Sequence, residues 1–267
     1  MGEISAYTLF SSSDGNCVYF RNRENEYIID CGVSARALET ALRGLGSGIR
    51  RLKAVFVTHE HSDHIRGLET LCRKSDVMIY APEKCCAPLA RVCPHASPRL
   101  TALGCEMTVE LDGAAVTPFA TPHDSASSCG YTVELDGVKF GVATDMGYVT
   151  KTTARALSDC RAVVIESNHD IDMLLRGDYP ESLKRRILGN YGHLSNKSCA
   201  EFVPYLAHCG AESLVLAHLS PRNNTPEAAY KASFDSLCGY GAEVSNEFGK
   251  GDIRLAVAPH SGACRVI

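Results

Sequence analysis

The residues best suited to chemistry lie in one short run, 58–64, which reads Thr-His-Glu-His-Ser-Asp-His. Its candidate ligands are three imidazoles and one carboxylate, those of His59, His61, Asp63 and His64. Imidazole nitrogens and carboxylate oxygens are ligands of Zn, Mn and Fe in proteins. The apolar stretch 52–57 just before this run predicts a strand, and a loop at a strand end lets side chains converge without helical spacing. The run therefore predicts a metal site.

Further polar residues occur in the same context, at the carboxyl end of a predicted strand. They are Asp30, His123, Asp145 and His218. One such residue alone is typical of a turn. As an ordered series that accompanies the histidine-rich run, these residues predict a set of side chains that meet at one edge of the fold.

Taken together, this pattern resembles the metallo-β-lactamase superfamily of metallohydrolases over essentially the whole chain. The H-x-H-x-D-H motif and the later ligands of that family match His59, His61, Asp63, His64, His123, Asp145 and His218. The resemblance implies one metal ion on His59, His61 and His123. It implies a second ion on Asp63, His64 and His218, with Asp145 shared by both. It also implies that Asp30 accepts a hydrogen bond from a ligand imidazole and fixes its tautomer.

The chemistry expected of such a site is hydrolysis with two divalent metal ions, for which Zn, Mn and Fe are all suitable. A hydroxide that bridges two cations has its pKa lowered from about 15.7 to about 7, which makes it a nucleophile at neutral pH. Two divalent ions carry four positive charges, and the carboxylates of Asp63 and Asp145 together with the hydroxide offset three of them. The one net positive charge that remains suits an anionic phosphodiester.

Local stretches narrow the resemblance to the YycJ-like (WalJ-like) branch of bacterial metallohydrolases. These stretches are 11–16, 166–170, 192–196 and 217–226. The branch implies a DNA exonuclease that acts 5′→3′ and favours single strands. In RNA-processing relatives a Glu and a later His match Glu166 and His193, and that His protonates the leaving oxygen. We therefore expect Asp63, His193 and Glu166 to act in catalysis, because a protonated imidazole stabilises a departing alkoxide. The alternative is that His193 only flanks a helix.

Contacts with the substrate are expected in two places. A helix predicted to begin near Asn196 would present free N–H groups beside His193, and Ser195 or Asn196 would then contact a phosphate; simple capping of the helix is the alternative. Arg222 and Asn223 follow the ligand His218 and are expected to contact the nucleic-acid backbone. The basic run 184–186 is more typical of a solvated helix face.

Four further histidines lie outside the ligand series. We do not expect His95, His208 or His260 to bind metal. The stretch 166–170 places His169 near the site, but the expected ligand positions are already filled.

The elements that would position these residues alternate between strands and helices. Apolar runs predict strands at 26–30, 52–58, 162–166 and 214–217, and helical spacing predicts helices at 65–72, 180–188 and 196–209. Asp112-Gly113 and Asp136-Gly137 join alternating apolar runs, which is a strong hairpin signal. We therefore expect an α/β (α+β) fold, a four-layer αββα sandwich that forms a single domain over residues 1–267.

Composition excludes several classes of protein. The 267 residues are 45% hydrophobic and 22% charged, which excludes disorder, collagen and coiled coils. The net charge of −4 gives no basic field over the whole protein, although it is compatible with a local basic groove. No apolar run approaches about 20 residues. Residues 1–14 carry no signal-peptide pattern, and the 13 scattered cysteines are interpreted as reduced thiols. We expect a cytoplasmic protein that binds DNA and no membrane, in an oligomeric state that the sequence does not indicate.

Two other functions remain open at this point. A thioester or lactone hydrolase of the glyoxalase II-like type would use the same fold without a general acid at His193. A non-catalytic, metal-dependent DNA-binding protein would have no need of an open site with two metal ions.

Overall fold

A computed structural model describes residues 4–267 of the chain; the first three residues of the segment considered for a signal peptide lie outside it. The strands are β1 (Ile4–Phe10), β2 (Cys17–Asn22), β3 (Asn25–Ile29), β4 (Leu52–Phe56), β5 (Met78–Pro82), β6 (Leu100–Leu103), β7 (Val109–Leu111), β8 (Ala114–Ala120), β9 (Cys129–Leu135), β10 (Val138–Ala143), β11 (Ala162–Glu166), β12 (Ser213–Ala217), β13 (Val244–Ser245), β14 (Ile253–Val257) and β15 (Ser261–Arg265). The helices are α1 (Ala35–Gly44), α2 (Ser62–Ile65), α3 (Leu68–Lys74), α4 (Glu83–Val92), α5 (Lys151–Leu157), α6 (Ile171–Arg176), α7 (Glu181–Leu188), α8 (Asn196–His208) and α9 (Pro226–Tyr240).

The strands form two mixed sheets. The first has the order β15-β1-β2-β3-β4-β5-β6, and the second has the order β13-β14-β12-β11-β10-β9-β8-β7. Strands β3 to β6 run parallel in the first sheet, and β10, β11, β12 and β14 run parallel in the second. The carboxyl ends of these parallel strands therefore lie together, and loops that leave them can meet at one edge.

Three buried clusters of side chains fill the spaces between the layers. Between the sheets, Phe20 packs edge-on against Phe140, and Phe56 packs edge-on against Tyr131. A second cluster joins the outer face of the first sheet to α1, α3 and α4. A third joins the outer face of the second sheet to α5, α8 and α9. This arrangement confirms the predicted αββα sandwich.

Both predicted hairpins are present. Asp112-Gly113 joins β7 to β8, and Asp136-Gly137 joins β9 to β10. Gly113, Asp136 and Gly137 have φ angles of 77°, 46° and 81°, in the left-handed region that tight hairpin turns require. The aspartate-glycine pairs therefore set the register of these strands.

The prediction of one continuous helix over 65–72 is wrong, because the chain forms two helices here, α2 and α3, with Gly67 between them. The Gly67 N–H donates to the carbonyl of Cys31 at 2.9 Å. A Cβ atom at this position would lie 2.1 Å from the carbonyl oxygen of Val33. Gly67 thus lets the loop that follows the histidine-rich run pass close to the end of β3.

Two other expectations can be compared with the fold. All 13 cysteines are free thiols, and eight of them are buried, as expected of small apolar side chains. Among residues 4–267, no helix has the length and apolar character needed to cross a membrane.

Candidate metal centre

The predicted site residues meet where the carboxyl ends of the parallel strands of both sheets come together. Asp30 follows β3, Asp145 lies just after β10, and His218 follows β12. All three have φ angles in the left-handed region, at 61°, 58° and 58°. This conformation is costly for a residue with a side chain, and it concentrates at functional sites. The sharp turns direct the chain back over the strand ends.

One group of side chains consists of His59, His61 and His123, whose candidate ligand atoms lie within 4.8 Å of one another. The Nδ1 atom of His123 is 3.1 Å from the carbonyl oxygen of Gly192, so it carries the proton and leaves Nε2 free. The free Nε2 lies 3.3 Å from Nδ1 of His61. The Nε2 atom of His59 is buried and has no hydrogen-bond partner. An orphaned nitrogen among free imidazole nitrogens fits a metal ion.

A second group consists of Asp63, His64, Asp145 and His218, again with ligand atoms within 4.8 Å of one another. The Nε2 atom of His64 lies 3.2 Å from Asp63 Oδ2 and 3.1 Å from Asp145 Oδ2. The Nε2 atom of His218 lies 3.4 Å from Asp63 Oδ2 and 3.5 Å from Asp145 Oδ1. This group could hold a divalent ion through two imidazoles and two carboxylates.

Asp145 lies between the two groups. Its Oδ1 atom is 3.5 Å from Nε2 of His218 and 3.7 Å from Nε2 of His123. Its side chain is almost fully buried, so the carboxylate has little access to water. The position of Asp145 is therefore compatible with a ligand shared by two ions.

Asp30 holds one imidazole of the second group in place. Its Oδ2 atom is 2.7 Å from Nδ1 of His64 and accepts a hydrogen bond from the Thr58 hydroxyl at 2.9 Å, while Oδ1 accepts from the Thr58 N–H at 2.8 Å. Burial raises the pKa of Asp30, and the neighbouring His64 and Thr58 oppose that rise. Because Nδ1 of His64 faces Asp30, its Nε2 faces the other carboxylates.

The pKa values of the buried histidines differ between the two groups. Burial lowers the pKa of His59 far below its usual value, and it also lowers the pKa of His123. Burial alone would do the same to His218, but the carboxylates of Asp145, Asp63 and Glu166 outweigh it and raise its pKa to about 10. The pKa of His64 is raised for the same reason. The second group is therefore the more negatively charged environment.

Glu166, at the end of β11, lies between two imidazoles. Its Oε1 atom is 2.8 Å from Nδ1 of His193 and 3.0 Å from Nδ1 of His218, and its Oε2 accepts from the N–H groups of Met146 and Leu194 at 2.9 and 3.1 Å. Burial would raise the pKa of Glu166, but His193 and His218 lower it to about 2. The ionised carboxylate orients His193 through Nδ1 and raises its pKa against the effect of burial.

The expected substrate contacts occupy different environments. The Ser195 hydroxyl caps α8 and accepts from the Ser198 N–H at 3.1 Å. The Asn196 side chain is buried and bonds to Ser167 at 2.7 Å and to Asn224. Asn223 is also buried, and its backbone carbonyl accepts from the Asp170 N–H. Arg222 is exposed, with its guanidinium 5.9 Å from the Tyr179 ring centroid.

The histidines outside the ligand series do not join either group. His95 contacts Glu69, His208 lies 3.0 Å from the Tyr240 hydroxyl, and His260 is exposed. His169 is buried beside Ser195, and neither of its ring nitrogens has a partner. Burial lowers its pKa to about 4, so this imidazole is neutral.

The expectation that the run 184–186 lies on a solvated helix face is wrong for Lys184. Its side chain is buried, and its ammonium donates to the Leu175 carbonyl at 2.7 Å. Arg186 forms an ion pair with Asp124, the residue that follows His123. Helix α7 therefore contacts α6 through Lys184 and the loop after His123 through Arg186.

Sequence reasoning did not single out several residues that support the site. Thr58 lies 3.1 Å from Nδ1 of both His59 and His64 through its hydroxyl. The Asn16 N–H donates to the Asp63 carbonyl at 2.8 Å, and its side-chain amide lies 3.2 Å from Nε2 of His64. The Asn168 amide donates to the His218 carbonyl at 2.8 Å. Thr58 directly precedes the first candidate ligand, and Asn16 and Asn168 lie in the stretches 11–16 and 166–170 that carry the resemblance, but no sequence signal indicated these contacts.

Comparison with known proteins agrees with this geometry. A profile of the beta-lactamase superfamily domain matches residues 25–219. Exodeoxyribonuclease YycJ of Bacillus anthracis is 35% identical over 227 residues, which cover 83% of this chain and 84% of that protein. Exodeoxyribonuclease WalJ of Streptococcus pneumoniae serotype 2 is 30% identical over 249 residues, which cover 90% of each protein.

A solved structure shows the same fold at low sequence identity. The metallo-beta-lactamase fold protein YhfI from Bacillus subtilis aligns with a TM-score of 0.71 and 13% identity, covering 98% of this chain and 100% of that one. Three observations point to the same family: the fold, the cluster of imidazoles and carboxylates, and the sequence similarity over most of the chain. The chain therefore belongs to the beta-lactamase superfamily, in the branch of YycJ and WalJ, and is a metal-dependent hydrolase.

Proposed function

We propose that this hydrolase is a phosphodiesterase with two metal ions that degrades DNA from the 5′ end and favours single strands. The observation that carries the proposal is the contact between Glu166 and His193 beside the shared carboxylate, where Nδ1 of His193 lies 2.8 Å from Glu166 and 3.6 Å from Asp145. The similarity to two exodeoxyribonucleases supports DNA as the substrate.

The residues that would hold the ions are those of the two groups, with His59, His61 and His123 on one side and Asp63, His64 and His218 on the other. Asp145 would be shared. Bound there, Zn, Mn or Fe ions would lower the pKa of a water to make it a nucleophile and would offset the charge of the phosphodiester. Asp63 would contribute to catalysis as a carboxylate ligand of the second ion, because its Oδ2 atom lies near Nε2 of both His64 and His218.

His193 would act on the leaving group. Hydrolysis of a phosphodiester expels a poorly stabilised alkoxide, and a protonated imidazole in reach lowers the barrier by donating a proton. Glu166 occupies Nδ1 of His193, so Nε2 is the nitrogen left for that proton. The side chain of His193 is 19% exposed, whereas Glu166 is fully buried, so only the imidazole can contact substrate.

Of the expected substrate contacts, Arg222 has the most accessible charged group. Its exposed guanidinium could bind a backbone phosphate without first leaving a buried network. Ser195, Asn196 and Asn223 would act on substrate mainly by keeping the loops around His193 and His218 in place, since their polar groups already have partners or are buried.

The decisive experiment replaces His193 by Gln and follows single-stranded DNA that carries a label at either end. The wild-type protein loaded with Zn or Mn should release labelled mononucleotide from the 5′ label at once and shorten the 3′-labelled strand as a ladder. His193→Gln should keep its metal content by elemental analysis and lose about 100- to 10,000-fold in rate. His208→Gln, a change at an exposed histidine on α8, should cleave at the wild-type rate.

The two alternative functions give different results in the same assays. Turnover of S-lactoylglutathione that survives His193→Gln, without cleavage of DNA, would identify a thioester or lactone hydrolase. Tight metal-dependent DNA binding with no cleavage in Zn, Mn or Fe would identify a non-catalytic binding protein. A metal content near one ion per chain in active protein would contradict the use of two ions.

A further inference from the structure

Two tyrosines near the metal centre stand apart from the other tyrosines of the chain. The side chains of Tyr148 and Tyr191 are 48% and 64% exposed. Among the described residues, neither side chain has a hydrogen bond or a ring contact. Aromatic rings left in water without a partner are candidates for binding a flat ligand.

Other tyrosines of this chain are buried, pack against a buried cluster as Tyr7 does, or have a partner. Tyr27 and Tyr131 donate hydrogen bonds to backbone carbonyls. The rings of Tyr205 and Tyr230 stack on neighbouring phenylalanines, and the exposed Tyr240 contacts His208. The lack of partners at Tyr148 and Tyr191 is therefore local to the edge of the fold that carries the site.

The loops that carry the two tyrosines touch each other. A Cβ atom on Gly147 would lie 2.3 Å from the carbonyl oxygen of Asn190, so the backbones preceding Tyr148 and Tyr191 are in contact. The Gly147 N–H also donates to the Pro122 carbonyl at 3.0 Å. Tyr148 and Tyr191 thus belong to one continuous surface.

That surface is tied to the ligands and to His193. The carbonyl of Tyr191 accepts from the Asp124 N–H at 3.1 Å, and the carbonyl of the next residue, Gly192, accepts from Nδ1 of His123. Two residues of chain span at most about 7 Å, so the Cα of Tyr191 lies within that distance of the Cα of His193. Tyr148 is three residues from Asp145, or at most about 11 Å.

We propose that Tyr148 and Tyr191 form a stacking surface for unpaired bases of a nucleic-acid strand whose phosphodiester lies at the metal centre. The inference rests on the proposed function. Neighbouring nucleotides of a strand are about 3.4 Å apart along a helix axis, so bases beside the scissile phosphate are within reach of both rings. A tyrosine ring stacks on any base, which gives affinity for single strands without a sequence preference. A paired base would already be stacked in its duplex, so this surface favours single-stranded ends.

The test measures binding separately from cleavage. A single strand with hydrolysis-resistant phosphorothioate linkages and a terminal 2-aminopurine is titrated with metal-loaded protein. Tyr148→Leu and Tyr191→Leu should each weaken binding by about 5- to 150-fold, the effect expected for the loss of one base–aromatic stack. Tyr148→Phe and Tyr191→Phe should bind as the wild type does, because stacking uses the ring and not the hydroxyl. Tyr240→Leu, at an exposed tyrosine remote from the site, is the matched control.

A strand whose terminal nucleotides lack bases separates stacking from contacts with the backbone. The wild type should bind this strand as weakly as the leucine variants bind the normal strand, and the leucine changes should then have no further effect. The proposal would be overturned if the leucine variants lost the same affinity for both strands. It would also be overturned if the leucine variants bound the normal strand as tightly as the wild type does.

The chain contains no tryptophan, so Tyr191→Trp introduces a single reporter. Its fluorescence should be quenched by the normal strand and not by the strand without terminal bases, whereas Tyr240→Trp should respond to neither. Stacking without any DNA hydrolysis would contradict the proposed function alone. Hydrolysis at the wild-type rate and affinity by the double variant Tyr148→Leu/Tyr191→Leu would contradict this inference alone.

Discussion

The two halves of the metal centre are supported by different chemistry. In the half formed by His59, His61 and His123, Nδ1 of His59 contacts the Thr58 hydroxyl and Nδ1 of His123 contacts the Gly192 carbonyl, and the nearest carboxylates lie 3.5 and 3.7 Å from Nε2 of His123. In the half formed by Asp63, His64 and His218, the imidazoles face carboxylates on both sides, including those of Asp30 and Glu166. Burial lowers the pKa of His59 and His123 in the first half, whereas carboxylates raise the pKa of His64 and His218 in the second.

The two halves lie at the same strand ends and yet would offer a cation different electrostatic environments. In the first half, neutral partners face Nδ1 of His59 and of His123, which leaves the Nε2 atoms of these two imidazoles for a metal. Carboxylate partners give the second half more negative charge and more basic imidazoles, at the cost of protons that a metal must displace. We therefore expect the halves to differ in metal affinity and in pH dependence.

The largest effect should come from Asp145→Asn, because Asp145 is the carboxylate that both halves share. Removing its charge should weaken metal binding in both halves and lower the rate of phosphodiester hydrolysis by at least about 1,000-fold. Elemental analysis after gel filtration should show loss of metal from both halves. Full retention of two ions with wild-type activity would remove Asp145 from the centre.

Asp30→Asn should act on one half only. The change removes the charge beside Nδ1 of His64 while keeping the shape of the side chain, and loss of such a partner weakens metal affinity by about 10- to 100-fold. Titration against a competing chelator should show one weakened step and one unchanged step. Asp172→Asn, at an exposed aspartate on α6, should leave both steps unchanged. Equal weakening of both steps would mean that the halves do not bind independently.

The pH dependence should separate the halves without any substitution. In the metal-free protein His218, with a pKa of about 10, is protonated at neutral pH, and binding at its Nε2 must displace that proton. The apparent affinity of the second half for a divalent metal ion should rise with pH. The expected increase is about tenfold per pH unit for each proton that the metal displaces, and it ends at the pKa of the histidine. The affinity of the first half should change less above neutral pH, since burial already lowers the pKa of His59 and His123. Calorimetry in buffers of different ionisation enthalpy counts the released protons.

Thr58→Val should have the smallest effect and should act on both halves alike. The Thr58 hydroxyl lies 3.1 Å from Nδ1 of His59 and of His64, and valine keeps its shape. Loss of a hydrogen bond worth about 1 kcal/mol corresponds to about fivefold in metal affinity. The same chelator titration measures it. A change confined to the first half would show that Asp30 alone is enough to hold His64.

The meeting of the candidate ligands at one edge of the fold could be predicted because it depends on short-range signals. Each ligand follows an apolar run that predicts a strand, and the topology of two mixed sheets brings those strand ends together. The hairpins at Asp112-Gly113 and Asp136-Gly137 were predicted for the same reason, since a turn and its flanking alternation are local in sequence.

What could not be predicted depends on segments distant in sequence. Asn16 reaches Asp63 across 47 positions, and Asn168 reaches His218 across 50. Asn196 and Asn223 carry no sign in the sequence that they are buried. Strand β1 was not predicted because it is buried on both faces and buries Ser5 and Thr8, so it lacks the alternation of a half-exposed strand.

The left-handed turns at Asp30, Asp145 and His218 bear on how this hydrolase can be engineered. Glycine would adopt each of these conformations without steric cost, so the backbone alone would be more relaxed with glycine there. A screen that selects only for resistance to heat would therefore favour losing the very groups that make the site. Such a screen should hold these three positions fixed and seek its gains elsewhere, in the helices that cover the outer faces of the sheets.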